Sequence, residues 1–472
     1  MGIMRPLIPA LLLASAAFGS IAPADLVPAR WATSDPKSLD LVAGTSVNCL
    51  LLDWKNDRAQ SFSAFAAAAE PKGVAVLAVL HPGADPVPAA RQAMNSHAGG
   101  IVLDGDFPGN TGARVRDALA DRKALVVEIT KRNRMNFGSG APILATDQGV
   151  WPGIQAQPEG AAHAGPSAAA WIDTNAGFLE AANAMAKGAT IWIAVRPPEK
   201  NTFKADRYLQ AVGDAALTGS RWVVAFDPDT QTAIDHGNAD ALKTWKSVAD
   251  LLTWFEKHSE WRRLPPGGKL AIVQDPKHGA LMSGGILDMI ATRHTPIRIE
   301  TPDQLSPSAL SGSTMALNTE PESLTPAQQQ TLLEWRRKGG TLLTAPSGWR
   351  DSLPADLTNA KLSDEQLKRI DDMWKDVSNM IGRRNLGVRL FNVSSMLSSF
   401  RAPKSGRPAV IELVNYADYP VESVTVQLPG KYTKAHLYTP DGKQKDLEVY
   451  PAEDGVGVDI DSIASCAVLR VE

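Results

Sequence analysis

At 472 residues the chain is too long for a single hydrophobic core, so two or three domains are expected. Its composition, 44% apolar and 21% charged, is that of an ordinary globular protein. A formal net charge of −3 without a long basic run argues against nucleic acid or an anionic membrane surface as the main partner.

Residues 1–22 read as a secretory signal: Arg5 supplies the positive start, 7–18 the short apolar core, and small residues follow. The run is short for a membrane span, and no other stretch approaches ~20 apolar residues. An exported protein, periplasmic or secreted and without stable membrane insertion, is therefore expected. The two cysteines, Cys49 and Cys466, fall in an early and a final strand and are expected to be buried small hydrophobes. No Cys/His spacing suggests zinc, and nothing in the sequence requires a metal or an organic cofactor.

From 45 to 228, eight short apolar runs follow one another, at 47–52, 74–80, 101–103, 124–129, 143–146, 169–172, 190–195 and 222–226. Continuous rather than alternating apolar character fits parallel strands covered on both faces. Amphipathic, Ala-rich helical patterns lie between several of them, at 85–96, 112–121, 177–187 and 205–217, and another follows at 240–257. Strands alternating with helices and numbering eight imply an α/β fold, a (β/α)8 TIM-like barrel over 23–264, with a doubly wound open sheet as the competing count. The connections 131–142 and 148–167 show no helical pattern and read as irregular or functional loops.

After a Pro/Gly linker at 262–268 the texture changes. Strand patterns at 269–273, 297–299, 314–317 and 341–344, with helices at 284–293 and 325–338, suggest a flavodoxin or glutamine-amidotransferase-like α/β domain over 265–360. Residues 361–400 supply a connecting helix and strand. Residues 401–472 alternate apolar residues between Gly, Pro and Asp turns, as a C-terminal β-sandwich does.

This order of domains resembles that of family 42 glycoside hydrolases. The segment LTPAQQQTLLEWRRKGGTLLTAP, 324–346, is similar to the helix-Gly-Gly-strand piece of their trimerisation domain, and the C-terminal strands resemble their final sandwich. The resemblance implies a carbohydrate substrate and a homo-oligomer. It departs from the family where chemistry is concerned. The family carries an Asn-Glu pair ending strand four and a nucleophilic Glu ending strand seven. Here the fourth run ends VVEIT with Glu128 and no Asn, and the seventh ends IAVRPPEK with Arg196 in the expected place.

Glycoside hydrolysis needs one carboxyl that holds a proton and one that stays ionised. Strand ends supply Asp53, Asp104, Asp106, Glu128, Asp147, Asp173 and Asp227. Asp147, before the stiff turn Trp151-Pro152-Gly153, and Asp173, two residues before Asn175, stand out by context. With Glu128 they form the expected catalytic set. Asp53, Trp54, Asp104, Trp151, Asn175 and Arg196 are the expected substrate-binding residues, the two indoles serving as stacking platforms for sugar C–H faces. Asp227, followed by Pro, reads as a turn or helix cap, Trp192 and Trp222 as core, and His81 as the one histidine at the site edge. No GxSxG elbow, Walker loop or HExxH occurs. The expectation is an exported glycoside hydrolase; the alternative, motivated by Arg196, is a barrel without catalysis that binds glycans or serves as a scaffold.

Overall fold

The computed structural model describes residues 21–154, 172–186, 188–198, 202–275, 294–346, 364–403 and 406–472. Eight parallel strands pair in chain order: β1 (Pro28–Trp31), β2 (Cys49–Asp53), β3 (Ala75–Leu80), β4 (Gly100–Asp104), β5 (Leu125–Thr130), β6 (Ile143–Thr146), β7 (Thr190–Ile193) and β8 (Arg221–Trp222). The chain beyond β8 returns to β1. The Arg30 N–H donates to the Val224 carbonyl at 2.8 Å, and the Val224 N–H donates to that of Pro28 at 3.1 Å, which closes the sheet into a barrel.

Alternation along each strand then fixes what faces where. Cys49, Leu51, Leu77, Val79, Val102, Val127, Ile129, Ile143, Ala145, Trp192 and Val223 form one buried cluster inside the barrel. Their neighbours Leu50, Val76, Ile101 and Val126 pack outward against the helices. The helices are α1 (Ala59–Ala69), α2 (Pro86–Asn95), α3 (Thr111–Ala118), α4 (Ala176–Met185), α5 (Ala205–Ala216), α6 (Pro228–Asp235) and α7 (Ala239–Lys257). Several begin where side chains satisfy free N–H groups: Asp85 accepts from Val87, Asp227 from Asp229 and Thr230, and Asn238 from Asp240 and Ala241. Asp227 is thus the cap its sequence suggests.

The barrel has eight strands, but not the eight apolar runs. β1 has the sequence PARW and escapes a search for apolar runs because its inward residue is an arginine. The run at 169–172 is not a barrel strand. Only its last residue is described, in the short strand Ile172–Asp173, which pairs antiparallel with Gly153–Ile154 inside the connection from β6 to β7. Every strand from β2 to β6 therefore stands one place later than the runs imply, and Glu128 lies on the fifth strand, Asp147 at the end of the sixth. The connection from β5 to β6 has only a 3-10 turn, Arg132–Arg134. Helix α1 was not signalled by the sequence pattern: its buried side is Phe62, Phe65, Ala66 and Ala69 within an almost uniformly apolar stretch.

The second unit is a parallel sheet of β9 (Leu270–Val273), β10 (Ile297–Glu300), β11 (Met315–Asn318) and β12 (Thr341–Thr344) in the order β10-β9-β11-β12. This is the second-first-third order of flavodoxin-type sheets. Helix α8 (Pro326–Arg337) starts with a reciprocal cap between Thr325 and Gln328. The helix expected at 284–293 lies outside the described residues. Helix α9 (Asp364–Ile381) covers the sheet through Met373, Val377 and Ile381.

Two antiparallel sheets complete the chain. One runs β13 (Arg389–Phe391), β16 (Val421–Pro429), β20 (Gly455–Ile463), β19 (Tyr450–Ala452). The other runs β14 (Met396–Arg401), β15 (Ala409–Asn415), β21 (Cys466–Val471), β17 (Ala435–Tyr438), β18 (Gln444–Leu447). The sandwich thus starts before residue 401, within the segment read as a connector. Val414, Tyr416 and Cys466 join the outer core of the barrel, and Ala181 of α4 joins that of the second unit. Both cysteines are buried and free, and burial pushes the Cys466 thiol up to about 12. Among the described residues no helix is long and apolar enough to cross a membrane.

Candidate active site

The inward position just past the apolar layers of each strand opens on the C-terminal mouth of the barrel. Strands β1 to β7 place there, in order, Arg30, Asp53, His81, Asp104, Lys131, Asp147 and Arg196. Each is ionisable. No apolar side chain at these positions would gain from an open, wet rim, whereas charged groups stay partly hydrated there.

Asp104 is the hub. Its Oδ2 accepts from Arg30 Nη1 and from Arg196 Nη2, both at 2.9 Å. Burial alone would raise its pKa, but the two guanidinium groups outweigh that and hold the carboxyl below its ordinary value. Arg30 also donates to the Ala194 carbonyl at 3.2 Å. Beside this cluster, Asp53 Oδ1 and His81 Nε2 stand 3.0 Å apart, and His81 Nδ1 lies 3.3 Å from the Asp104 carbonyl. Both ring nitrogens face acceptors, so the doubly protonated ring satisfies both contacts; the bond to Asp53 raises the histidine and lowers the acid. Asp106, on the loop after β4, pairs with Lys131 at 3.3 Å and with Arg134 at 3.0 Å.

Asp147 differs from all of these. Its Oδ1 is buried without a hydrogen-bond partner. Desolvation and then the negative charge of Asp104 push its pKa above the ordinary value. Its backbone is fixed on both sides. The Gln148 N–H donates to Thr146 Oγ1 at 3.1 Å, and buried Arg132 binds Gln148 twice, from its N–H to Oε1 at 2.8 Å and from Nε to the carbonyl at 3.0 Å. Arg132 Nη2 continues to Asn175 Oδ1 at 3.0 Å, and Asn175 Nδ2 to Asp214 Oδ2 at 3.0 Å. The chain of bonds ends in the sandwich, where the Tyr416 hydroxyl donates to Asp214 at 2.7 Å. Gly149 is required in this packing: a Cβ there would stand 2.8 Å from Asn175 Oδ1.

Four of the expected site residues therefore share the mouth: Asp53, Asp104, Asp147 and Arg196. Others do not. Glu128 lies on the outward face of β5, bonded to Arg116 of α3 at 2.9 Å, and Gly112 of α3 leaves room for its carboxylate. It cannot act with Asp147 across the mouth. Trp54 faces outward too; it is buried, edge-on to Phe62, and donates to Asn56 at 2.8 Å. Trp151 packs among Phe203, Tyr208 and Trp222, and its Nε1 donates to the Arg196 carbonyl at 3.1 Å, so it braces the strand end and presents no free platform. Asn175 is buried scaffold. Asp173 has its backbone opposite Gly153, and its side chain lies outside the described residues. Trp192 and Trp222 are core, as their strand positions imply.

Sequence reasoning passed over Arg30, Lys131 and Arg134. The usable signal was parity: once an apolar strand is in hand, the residue two beyond its last inward apolar one is a mouth residue. Among the described residues no group of three or more His, Cys, Asp and Glu side chains could hold a metal ion.

No protein-family model matches the chain, and no curated protein matches its sequence. Solved structures do match. The α-L-fucosidase isoenzyme 2 from Paenibacillus thiaminolyticus aligns over 95% of this chain and 100% of its own, with a TM-score of 0.58 at 9% identity. A rhamnosidase from Novosphingobium sp. PP1Y aligns over 92% of this chain and 45% of its own, with a TM-score of 0.47 at 12% identity. A putative α-galactosidase from Bacteroides fragilis NCTC 9343 aligns over 95% and 79%, with a TM-score of 0.42 at 9% identity. The first likeness shows a shared fold, and at 9% identity it carries no residue role.

Proposed function

We propose that this chain is a glycoside hydrolase whose working carboxyl groups are Asp147 and Asp104. The observation that carries the reading is a pair of inward carboxyls, ending β6 and β4, whose surroundings push their proton affinities in opposite directions. Two such carboxyls are what glycosidic cleavage uses. Asp147, desolvated and beside a negative charge, is the general acid that protonates the leaving oxygen. Asp104 keeps its charge through Arg30 and Arg196, and both bind the same oxygen, so Oδ1 is left to face the developing oxocarbenium charge. His81, its two ring nitrogens taken up by Asp53 and the Asp104 carbonyl, holds the Asp53 carboxylate in place at the same rim to accept from sugar hydroxyls.

The fold shared with the α-L-fucosidase from Paenibacillus thiaminolyticus supports carbohydrate chemistry for this barrel. So does the resemblance to family 42, in part. With β1 counted, the fourth strand ends on an acid, Asp104, while the seventh ends on Arg196. The family's second carboxylate is thus absent from its place, and Asp147 on the sixth strand takes over. We extend the proposal to an exported protein, by the signal-like residues 1–22, with the amidotransferase-like middle unit serving homo-oligomer assembly.

The test is a hydrolysis screen of aryl glycosides and oligosaccharides at high protein concentration. Cleavage by the wild type, and losses of ~10²–10⁴-fold in Asp147→Asn with folding intact by circular dichroism, are expected. Binding without cleavage of any probe would make the chain a glycan-binding barrel instead.

A further inference from the structure

The fixed cations at the mouth share their direct ion-pair partners. One oxygen, Asp104 Oδ2, accepts from both Arg30 and Arg196. One carboxylate, Asp106, serves both Lys131 and Arg134. Four fixed cations thus share two carboxylates, in a chain whose formal net charge is −3. The two other acids of the rim lie within reach of these charges, Asp53 of Arg196 and Arg30 and Asp147 of Lys131, but form no direct ion pair with them. Asp53 is bonded to His81, and Asp147 Oδ1 has no partner.

The cations also differ in access. Arg30 is enclosed, with 11% of its side chain exposed, whereas Arg196 keeps 52% exposed while one of its nitrogens is held by Asp104. Trp151 fixes the backbone behind it by donating to the Arg196 carbonyl. A guanidinium anchored at one end and open at the other has less freedom to lose on binding. Its remaining N–H groups form a planar fork that matches the two oxygens of a carboxylate.

We infer that the sugar taken at this mouth carries a carboxylate, as a uronic acid does, and that Arg196 recognises it. The inference rests on the reading of the mouth as a glycan site and narrows the substrate class. A neutral sugar would meet the open side of the Arg196 guanidinium with hydroxyls alone. A carboxylate meets it with charge-assisted hydrogen bonds, which are roughly twice as strong as neutral ones.

Isothermal titration of the full chain tests this with methyl glucuronides and galacturonides of both anomers, against the matching methyl glucosides and galactosides. The uronides should bind about tenfold more tightly or better, and the preference should shrink as ionic strength rises. It should vanish in Arg196→Gln and survive in part in Arg196→Lys, which keeps the charge without the fork, with both variants melting near the wild type. Equal affinities, no measurable uronide binding, or a preference that persists in Arg196→Gln would overturn the inference. Tighter binding of the 6-sulfated methyl hexosides would overturn the carboxylate assignment. Because binding is read apart from cleavage, hydrolysis of neutral glycans without uronide preference removes this inference and leaves the hydrolase reading, and uronide binding without hydrolysis does the reverse.

Discussion

Replacing Asp104 by leucine should be among the most destabilising single changes at the mouth, and replacing Arg30 with it should undo most of the damage. The side chains of Arg30 and Asp104 are 11% and 9% exposed, so solvent screens their contact little. Removing the acid leaves an enclosed guanidinium without its counter-charge, at a cost of ~3–5 kcal/mol. Arg196 is half exposed and regains water, so it adds little. For a barrel of this size the loss corresponds to a fall of ~6–20 °C in melting temperature. In Arg30→Met with Asp104→Leu no charge is stranded. Apart from the half-exposed pair of Arg196 with Asp104, only the bond from Arg30 to the Ala194 carbonyl is lost, so the double variant should lie within ~1–2 kcal/mol of the wild type. The assay is urea unfolding followed by tryptophan fluorescence, arranged as a double-mutant cycle. The pH dependence has a fixed sign. The folded-state pKa of Asp104 is depressed, so its contribution is present above the unfolded value of about 3.9 and fades as pH falls through the folded value. A cost below ~1 kcal/mol for Asp104→Leu, or a double variant that costs the sum of the singles, would refute the reasoning.

Glu128→Gln should leave any turnover unchanged and cost ~0–1 kcal/mol, since it only breaks a partly exposed pair with Arg116; a large activity loss would show that the outer face of β5 matters. Asp53→Asn should lower the pKa of His81, measured by NMR titration of the ring protons, because the bond to Asp53 is the main cause of its elevation; an unchanged value would contradict the pairing. Tyr416→Phe removes a donor from buried Asp214 and should cost ~1–3 kcal/mol. Burial raises the pKa of Asp214, so its protonated form needs fewer donors, and the penalty should be larger at neutral than at acidic pH.

Much of this architecture was legible, and the failures share a cause. Apolar runs located seven barrel strands because a residue buried on either face of the sheet must be apolar. β1 failed that test since its inward residue, Arg30, is a mouth residue on a strand of four. The run at 169–172 passed the test, yet its described residue, Ile172, belongs to a two-stranded ribbon within a connection. The two errors cancelled in the count and shifted the strand numbers, which is why Glu128 stood where Asp104 belongs. The acids at strand ends were visible, but the direction each one faces depends on parity relative to the barrel interior, and Glu128 and Trp54 fell on the wrong side. Asp147 was found by its neighbours. Its buried, unpartnered oxygen and the nearness of Asp104 arise from strands distant in sequence, and no local pattern encodes them.

The most direct test of the two-carboxylate reading is the leaving-group dependence of Asp147→Asn across a series of aryl glycosides cleaved by the wild type. If Asp147 supplies the proton, the variant should lose ~10²–10⁴-fold with poor leaving groups and little with 2,4-dinitrophenolate, which needs no proton. The basic limb of the wild-type kcat/KM profile, lying above the ordinary carboxyl range because Asp147 is raised, should disappear as well. A uniform loss across the series, with the basic limb retained, would contradict it.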